Sequence, residues 1–343
     1  MTAPGKRLRW VAVAMAMVAV GMAIVAVVVL AHLAGGTGNA TPGRGGPATR
    51  PAPTGRPPLR IGLIPERDVF KQRQRYRALA DYLAGKLARP VQLVTANTYE
   101  AILLDYAEKK IDGAFLGSLV AVLAMDRHGA RPIARPELAG GVSTYRGVIF
   151  VRADSKVRRL DDLAGHSVGM VRTTTAANLF PGCLMARAGL LDEPLKVRMV
   201  WMGTHDDVVR AVTKGEIDIG SAKDLRLHAV LQEHPDWKIR RLALGQAVPE
   251  NALLVRADLD AGLADRLTKV LLGMGGEQAG LRTLSALGVV RFIPCKPEEY
   301  QPVYDMVECV GPDWTRIGLH GEPPRNPAGP RKGPRPKCYV ESF

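Results

Sequence analysis

The sequence predicts an α/β protein of two similar lobes, each a mainly parallel sheet flanked by helices, with a hinge of two crossing segments. Three observations predict it. First, a strand-helix-strand-helix-strand pattern occurs twice. In the first unit 20 positions separate Val91 from Ile111, and in the second 20 separate Val197 from Ile217. The wider spans also match, 50 positions from Ile61 to Ile111 and 49 from Val168 to Ile217. Second, extended apolar segments, STYRGVIFVRADS and ENALLVRADL, stand where the chain would pass between the lobes and return. Third, 343 residues with 47% hydrophobic content suffice for two packed cores.

The elements follow in order. LRIGLIP (59–65) is a short apolar run bounded by prolines and reads as a strand. The stretch 70–87 places Tyr76, Leu79, Ala80, Leu83 and Leu87 on one helical face. VQLVTA (91–96), YEAILLDYAEKK (99–110) and IDGAFLG (111–117) complete the first unit. HSVGMVR (166–172), AANLFPGCLMARAG (176–189), KVRMVWMG (196–203), HDDVVRAVTKG (205–215) and EIDIGSA (216–222) repeat the pattern. Parallel sheets bind ligands beyond the carboxyl ends of their strands. Those ends are Pro65–Glu66, Thr95–Tyr99, Gly117–Ser118, Arg172–Thr175, Gly203–His205 and Ala222–Asp224, and facing lobes would bring all six to one cleft. The expected division is 59–145 plus 250–310 for one lobe and 146–249 for the other.

Outside that body the chain changes character. Residues 1–9 are basic, and 10–34 carry no charged residue. About 20 apolar residues cross a bilayer core, and this run exceeds the roughly 7–15 of a signal-peptide core. A transmembrane signal anchor is expected, or a signal peptide cut near Ala31, with the body on the extracytoplasmic side. Residues 35–58 are rich in Gly and Pro and read as a linker. Residues 311–343 read as a second basic, Pro-rich tail, with folded structure ending near Gly311.

The formal charge of +14 first suggests nucleic acid. Much of it lies in the two tails: residues 1–58 hold six Lys/Arg and no acid, and 311–343 hold six against three acids. The body is mildly basic and poor in aromatic residues, so no nucleic-acid partner is expected. Cys183, Cys295, Cys309 and Cys338 form no CxxC pair and have no metal spacing. In an exported chain Cys295 and Cys309 could bridge a short loop, or each could be a buried thiol.

The chemistry-bearing positions sit at the strand ends. Thr173, Thr174 and Thr175 follow a strand and precede a helix, where hydroxyls and free amides can hold a small oxyanion. A cap needs one of them, worth about 1 kcal/mol. His205 occupies the matching turn one unit later, either donating to an anion or standing beside a cap made by Thr204 or Asp206. Lys223 ends the last strand and can neutralise an anion, or form a solvated pair with Asp224. Tyr99 and Ser118 are the first-lobe counterparts, and Tyr145 lies on the crossing segment. No GxSxG, HExxH or phosphate-binding GxxxxGK[ST] occurs, and GMGGEQAG (273–280) follows a helical run rather than a strand. Binding is expected rather than catalysis, with neither metal nor cofactor.

Several stretches resemble the phosphate/phosphite/phosphonate-type solute-binding proteins of ABC importers. They are LRIGLIPERDVFKQRQRYRALADYL, KKIDGAFLGS, STYRGVIFVR, TTTAANLFP, GTHDDVVRAVTKGEIDIGSAK and VPENALLVRADL, in that order over about residues 59–308. The resemblance implies a two-lobed, hinge-closing periplasmic binding protein fold (type II-like). It implies oxyanion contacts from Thr173, Thr174 and Thr175 with His205 close by, a ligand-facing Tyr99, and Ser118 in the loop that ends its strand. Two departures stand out: Ala121 lies where many members have a Tyr, and Lys223 where many have an acid that receives a substrate amine. The latter argues for a plain oxyanion over an aminoalkyl phosphonate. Asp224 or Glu66 is a candidate acceptor for a proton carried by the ligand. The implied partners are a small oxyanion and an ABC permease, with the membrane reached through the N-terminal helix. A membrane-tethered sensor signalling to a partner protein is the alternative. An enzyme on a borrowed fold, and a metal binder using Tyr, His and Asp, are further rivals.

Overall fold

The computed structural model describes residues 55–65, 69–192, 194–329 and 339–342. The expected anchor at 10–34, nearly all of the linker, Glu66 and Cys338 lie outside them.

Each repeated unit forms the parallel part of one sheet. In the first, β1 (Leu59–Leu63) pairs in parallel with β2 (Val91–Thr95) and with β3 (Gly113–Leu116). The helices α1 (Val69–Leu87) and α2 (Tyr99–Ala107) make the crossovers. Helix α3 (Ser118–His128) leaves the end of β3, and β4 (Arg131–Glu137) follows it. Three further pairings are antiparallel: β12 (Ala252–Val255) with β3 and β4, and β13 (Arg291–Ile293) with β4. The order is β13-β4-β12-β3-β1-β2.

The second sheet repeats this plan. β7 (Ser167–Val171) lies parallel to β8 (Arg198–Met202) and β9 (Ile219–Lys223). Helix α4 (Phe180–Arg187) and helix α5 (His205–Thr213) link them, and α6 (Asp224–Glu233) leaves the end of β9. The remaining strands run antiparallel: β6 (Gly147–Arg152) beside β9, β10 (Ile239–Gly245) beside β6, and β14 (Tyr339–Ser342) beside β10. Both sheets are therefore mixed, with the parallel strands confined to the units read from sequence.

Between the sheets run β5 (Thr144–Tyr145) and β11 (Val248–Pro249), paired antiparallel with Tyr145 opposite Val248. These are the two crossing segments. Such a short two-stranded link opposes bending far less than a packed core does.

The apolar core falls into two clusters. One lies under α1, α7 (Ala261–Leu272) and α8 (Gln278–Leu287) on one face of the first sheet. The other begins under α2 and α3 and continues through the whole second lobe. Its last helix, α9 (Gln301–Val310), packs chiefly on α4 of the second lobe rather than within the first lobe expected for residues 301–310. Cys183 in α4 and Cys309 in α9 form a disulfide, and Cys295 is a buried free thiol. The 295–309 bridge is thereby excluded.

The C-terminal segment departs from the expected tail. Trp314, Ile317 and Leu319 are all buried in the larger cluster, and Tyr339–Ser342 extends the second sheet. Hydrogen bonds to backbone carbonyls hold the strap at residues 316–322: Asn178 donates to Ile317 O (2.8 Å), Arg316 to Leu191 O (2.7 Å), and Arg127 to Glu322 O (2.8 Å). The Gly/Pro-rich composition masked three apolar residues close enough together to dock.

Candidate functional site

At the end of β7 the chain must turn sharply before the next helix can start. Thr173 takes a left-handed backbone, φ 55°, which costs a β-branched residue about 1–2 kcal/mol. Asn178 fixes the turn: its Oδ1 accepts from Thr173 N at 3.0 Å while its Nδ2 donates to the strap. Thr174 is the cap, accepting from Ala177 N (3.3 Å) and donating to Val171 O (2.8 Å). One π-helical turn, Thr175–Leu179, follows, with Leu179 N bonded to Thr174 O at 3.0 Å. Pro181 then falls in the first turn of α4, where a missing N–H costs no helical bond.

The three hydroxyls therefore differ in role. Thr173 donates across the cleft to the carboxylate of Glu100, on the first turn of α2. Thr175 Oγ1 accepts from Leu119 N, on α3, at 2.7 Å. Thr174 alone works within its own turn. Two of the three thus bind the opposite lobe, while the first-turn amides of Thr175 and Ala176 are the donors a helix start leaves over.

Tyr99 and His205 are structural counterparts. Each is the first residue of its helix, after a Thr cap with nearly the same backbone: Thr98 at φ −137°, ψ 163° and Thr204 at φ −137°, ψ 164°. Thr204 and Asp207 form a reciprocal capping box, with Thr204 N donating to Asp207 Oδ2 at 3.0 Å. This leaves His205 free of capping, and it is buried rather than exposed. Asp206, the other proposed cap, instead holds Arg226 through two bonds of 3.1 and 2.6 Å.

Lys223 ends β9 with its side chain 3% exposed. Its Nζ donates to Glu250 Oε1 at 2.5 Å and lies 4.4 Å over the Tyr145 ring. The solvated Lys223–Asp224 pair does not form. Asp224 accepts instead from Arg146 N (3.0 Å) and Leu225 N (2.8 Å), which commits it to the second lobe's own backbone. Burial pushes the Tyr145 hydroxyl above its ordinary pKa, and the Lys223 charge pulls partly against this.

These groups line one cavity. Tyr99, Tyr145, Thr173, Thr174, Thr175, His205 and Lys223 all face it, joined by Gly117 and Asn251. It leaves about 10 Å³ for the centre of a guest, about one water, so seating an oxyanion requires the lobes to part. Ser118 stands apart. Its hydroxyl donates to Pro249 O at 2.7 Å and its N–H to the Tyr145 hydroxyl at 3.3 Å, tying the α3 start to the crossing strands. It does not line the cavity.

Sequence reasoning missed Glu100, Glu250 and Asn251. Glu250 and Asn251 lie in the VPENALLVRADL stretch, where an acid and an amide at a crossing point were the available signal. Among the described residues no group of His, Cys, Asp or Glu could hold a metal ion.

A family described as "ABC transporter, phosphonate, periplasmic substrate-binding protein" matches residues 61–300. The phosphonates-binding periplasmic protein of Escherichia coli is 22% identical over 242 residues, covering 68% of this chain and 71% of that protein. The phosphate-import protein PhnD of Mycolicibacterium smegmatis is 24% identical over 193 residues, covering 52% of this chain and 59% of its own length. PhnD1 of Prochlorococcus marinus, solved with methylphosphonate, superposes with a TM-score of 0.64 at 18% identity, covering 73% of this chain and 97% of that one. The likeness in structure shows the shared fold. A matched span of this extent shows more, and the chain belongs to the family of periplasmic phosphonate-type substrate-binding proteins of ABC transporters, which are binding proteins and not enzymes.

Proposed function

We infer that the ligand is a single phosphorus oxyanion without an ammonium group: phosphate, phosphite or a plain phosphonate. The cleft holds it for delivery to an ABC permease. One observation carries this reading. Thr173, Thr174, Thr175 and Ala176 of the helix-start turn and the cation Lys223 line one small cavity. Neutral donors at a helix start and one cation suit an anion, and charge-assisted hydrogen bonds in a water-poor site are the strong kind.

The pairing of Lys223 with Glu250 supports the exclusion of amines. A ligand ammonium would meet a carboxylate already compensated and a like charge beside it. Relatives named for phosphate and for phosphonates, and a neighbour solved with methylphosphonate, fit the same class. With α9 held on α4 by the Cys183–Cys309 disulfide, lobes of 59–145 plus 250–300 and of 146–249 plus 301–310 would close about the β5–β11 link. The apolar run at 10–34, with basic residues before it, would hold the body on the extracytoplasmic face of the cytoplasmic membrane. Among the described residues no helix is long and apolar enough to cross a membrane, and that run lies outside them.

Calorimetric titration with phosphate, phosphite, methylphosphonate and 2-aminoethylphosphonate tests the reading. At least one of the first three should bind, and more tightly than the amine compound. Tightest binding of 2-aminoethylphosphonate, or no binding of any, would overturn it.

A further inference from the structure

Beyond the Lys223–Glu250 pair lies a second cavity of about 300 Å³. That is at the lower end of the roughly 300–1,000 Å³ of small-molecule pockets. We propose that it is a second compartment of the ligand site, which takes the aromatic or branched apolar substituent of an organic phosphonate. The inference rests on the reading of the first cavity as the oxyanion site.

The two spaces share a wall. Lys223, Glu250 and Asn251 line both, so one layer of side chains separates them. Lys223 rides on β9 of the second lobe, whereas Glu250 belongs to the crossing segment. That layer is therefore assembled as the lobes close and can form around a ligand already in place. The far walls also come from both lobes, with Tyr76, Phe115 and Phe292 on one side and Leu225 and Arg226 on the other.

The aromatic part of the wall favours an apolar group, although Arg75 and His228 also line the cavity. Tyr76 and Phe115 have ring centroids 5.1 Å apart, and Phe115 and Phe292 6.2 Å, which makes one continuous aromatic surface. Offset and tilted rings of this kind add to the gain from burying a further ring. Arg226 is buried and already neutralised by Asp206, so it does not demand a second anion, and Arg75 donates to Leu287 O. Glu250 is the one polar group of the shared wall with a demand left over. Its Oε2 is buried and has no hydrogen-bond partner among the described residues. A hydroxyl or amide N–H on the substituent would answer it, whereas a bare phosphate cannot reach beyond the first compartment.

Calorimetry on the full chain with phosphite, methylphosphonate and phenylphosphonate tests the proposal. Phenylphosphonate should bind at least as tightly as methylphosphonate. Val289→Trp and, separately, Leu138→Trp fill the second cavity from positions that do not line the first. Each should weaken phenylphosphonate by about tenfold or more while phosphite stays within about twofold, and unchanged phosphite binding also reports that the variant is folded. The proposal falls if phosphite binds but phenylphosphonate does not. It also falls if neither substitution discriminates between the two. If no phosphorus oxyanion binds the wild type, the reading of the first cavity fails and this inference with it.

Discussion

Lys223 donates to Glu250 at 2.5 Å while lying against the face of Tyr145, and all three are nearly sealed from solvent. Breaking a buried pair from one side is far costlier than removing both partners, because it leaves a charge without compensation. Lys223→Met should therefore destabilise the protein by about 3–5 kcal/mol. The double variant Lys223→Met with Glu250→Gln should recover most of that loss. Urea unfolding without ligand measures both, and equal stabilities for the single and double variants would contradict this account of the pair.

The threonine run separates into one structural and two cleft-spanning hydroxyls, and this can be tested. Thr174→Ala removes the cap and should cost about 1 kcal/mol in unfolding stability. Thr175→Val removes the acceptor of Leu119 N. That leaves a buried N–H unsatisfied only when the lobes are closed, a penalty of about 1–3 kcal/mol. It should appear as about a tenfold or greater loss of oxyanion affinity with unfolding stability nearly unchanged. The opposite pattern, a stability loss at Thr175 and none at Thr174, would reverse the assignment.

Much of this site was legible because strand ends in a repeated β-α-β-α-β unit are determined by local periodicity. Spacing put the Thr run, His205, Tyr99 and Lys223 at strand ends, the family resemblance singled them out as contacts, and all six residues line the cavity. What stayed hidden depends on distant partners. Ser118 has the right position in its unit, yet its hydroxyl is taken by Pro249, which arrives 131 residues later. Glu250 meets Lys223 only because a crossing segment passes the end of β9. Glu100 meets Thr173 only because the opposite lobe brings the Thr turn to it. The packed strap at Trp314–Leu319 was obscured by a composition that elsewhere signals disorder.

The disulfide pins α9, at the end of the chain's last helical stretch, to α4, which follows the Thr turn. Its partners are 126 residues apart, and a cross-link over a loop of that order removes much freedom from the unfolded chain. Replacing both cysteines, Cys183→Ala with Cys309→Ala, should cost about 2–5 kcal/mol. Cys295→Ala deletes only a buried free thiol and should cost less. Thermal melts of the two variants decide the matter, and a larger loss from Cys295→Ala would show that its contact with the Tyr300 hydroxyl, 3.5 Å from the sulfur, outweighs the cross-link.

Asp218 gives a pH-dependent test at the other end of the second sheet. Its Oδ2 accepts from Ser167 Oγ at 2.6 Å and from Ser167 N at 2.8 Å, while Ser167 Oγ accepts from Asp218 N at 2.9 Å. The Ser167 hydroxyl and amide hold this carboxyl below its usual pKa, against a smaller opposing effect of burial. A carboxylate depressed in the folded state adds stability above its unfolded pKa, about 3.9, and loses it as pH falls through the folded value. Ser167→Ala should thus be less stable than wild type at pH 7, with the gap narrowing as pH falls below about 3.9 and through the lower folded value. The side chain of Asp218 is 50% exposed, so solvent screening should keep the electrostatic part under about 1 kcal/mol. Urea unfolding at pH 7, 5 and 3 measures the gap, and one that stays constant across that range would show that Ser167 does not act through the Asp218 charge.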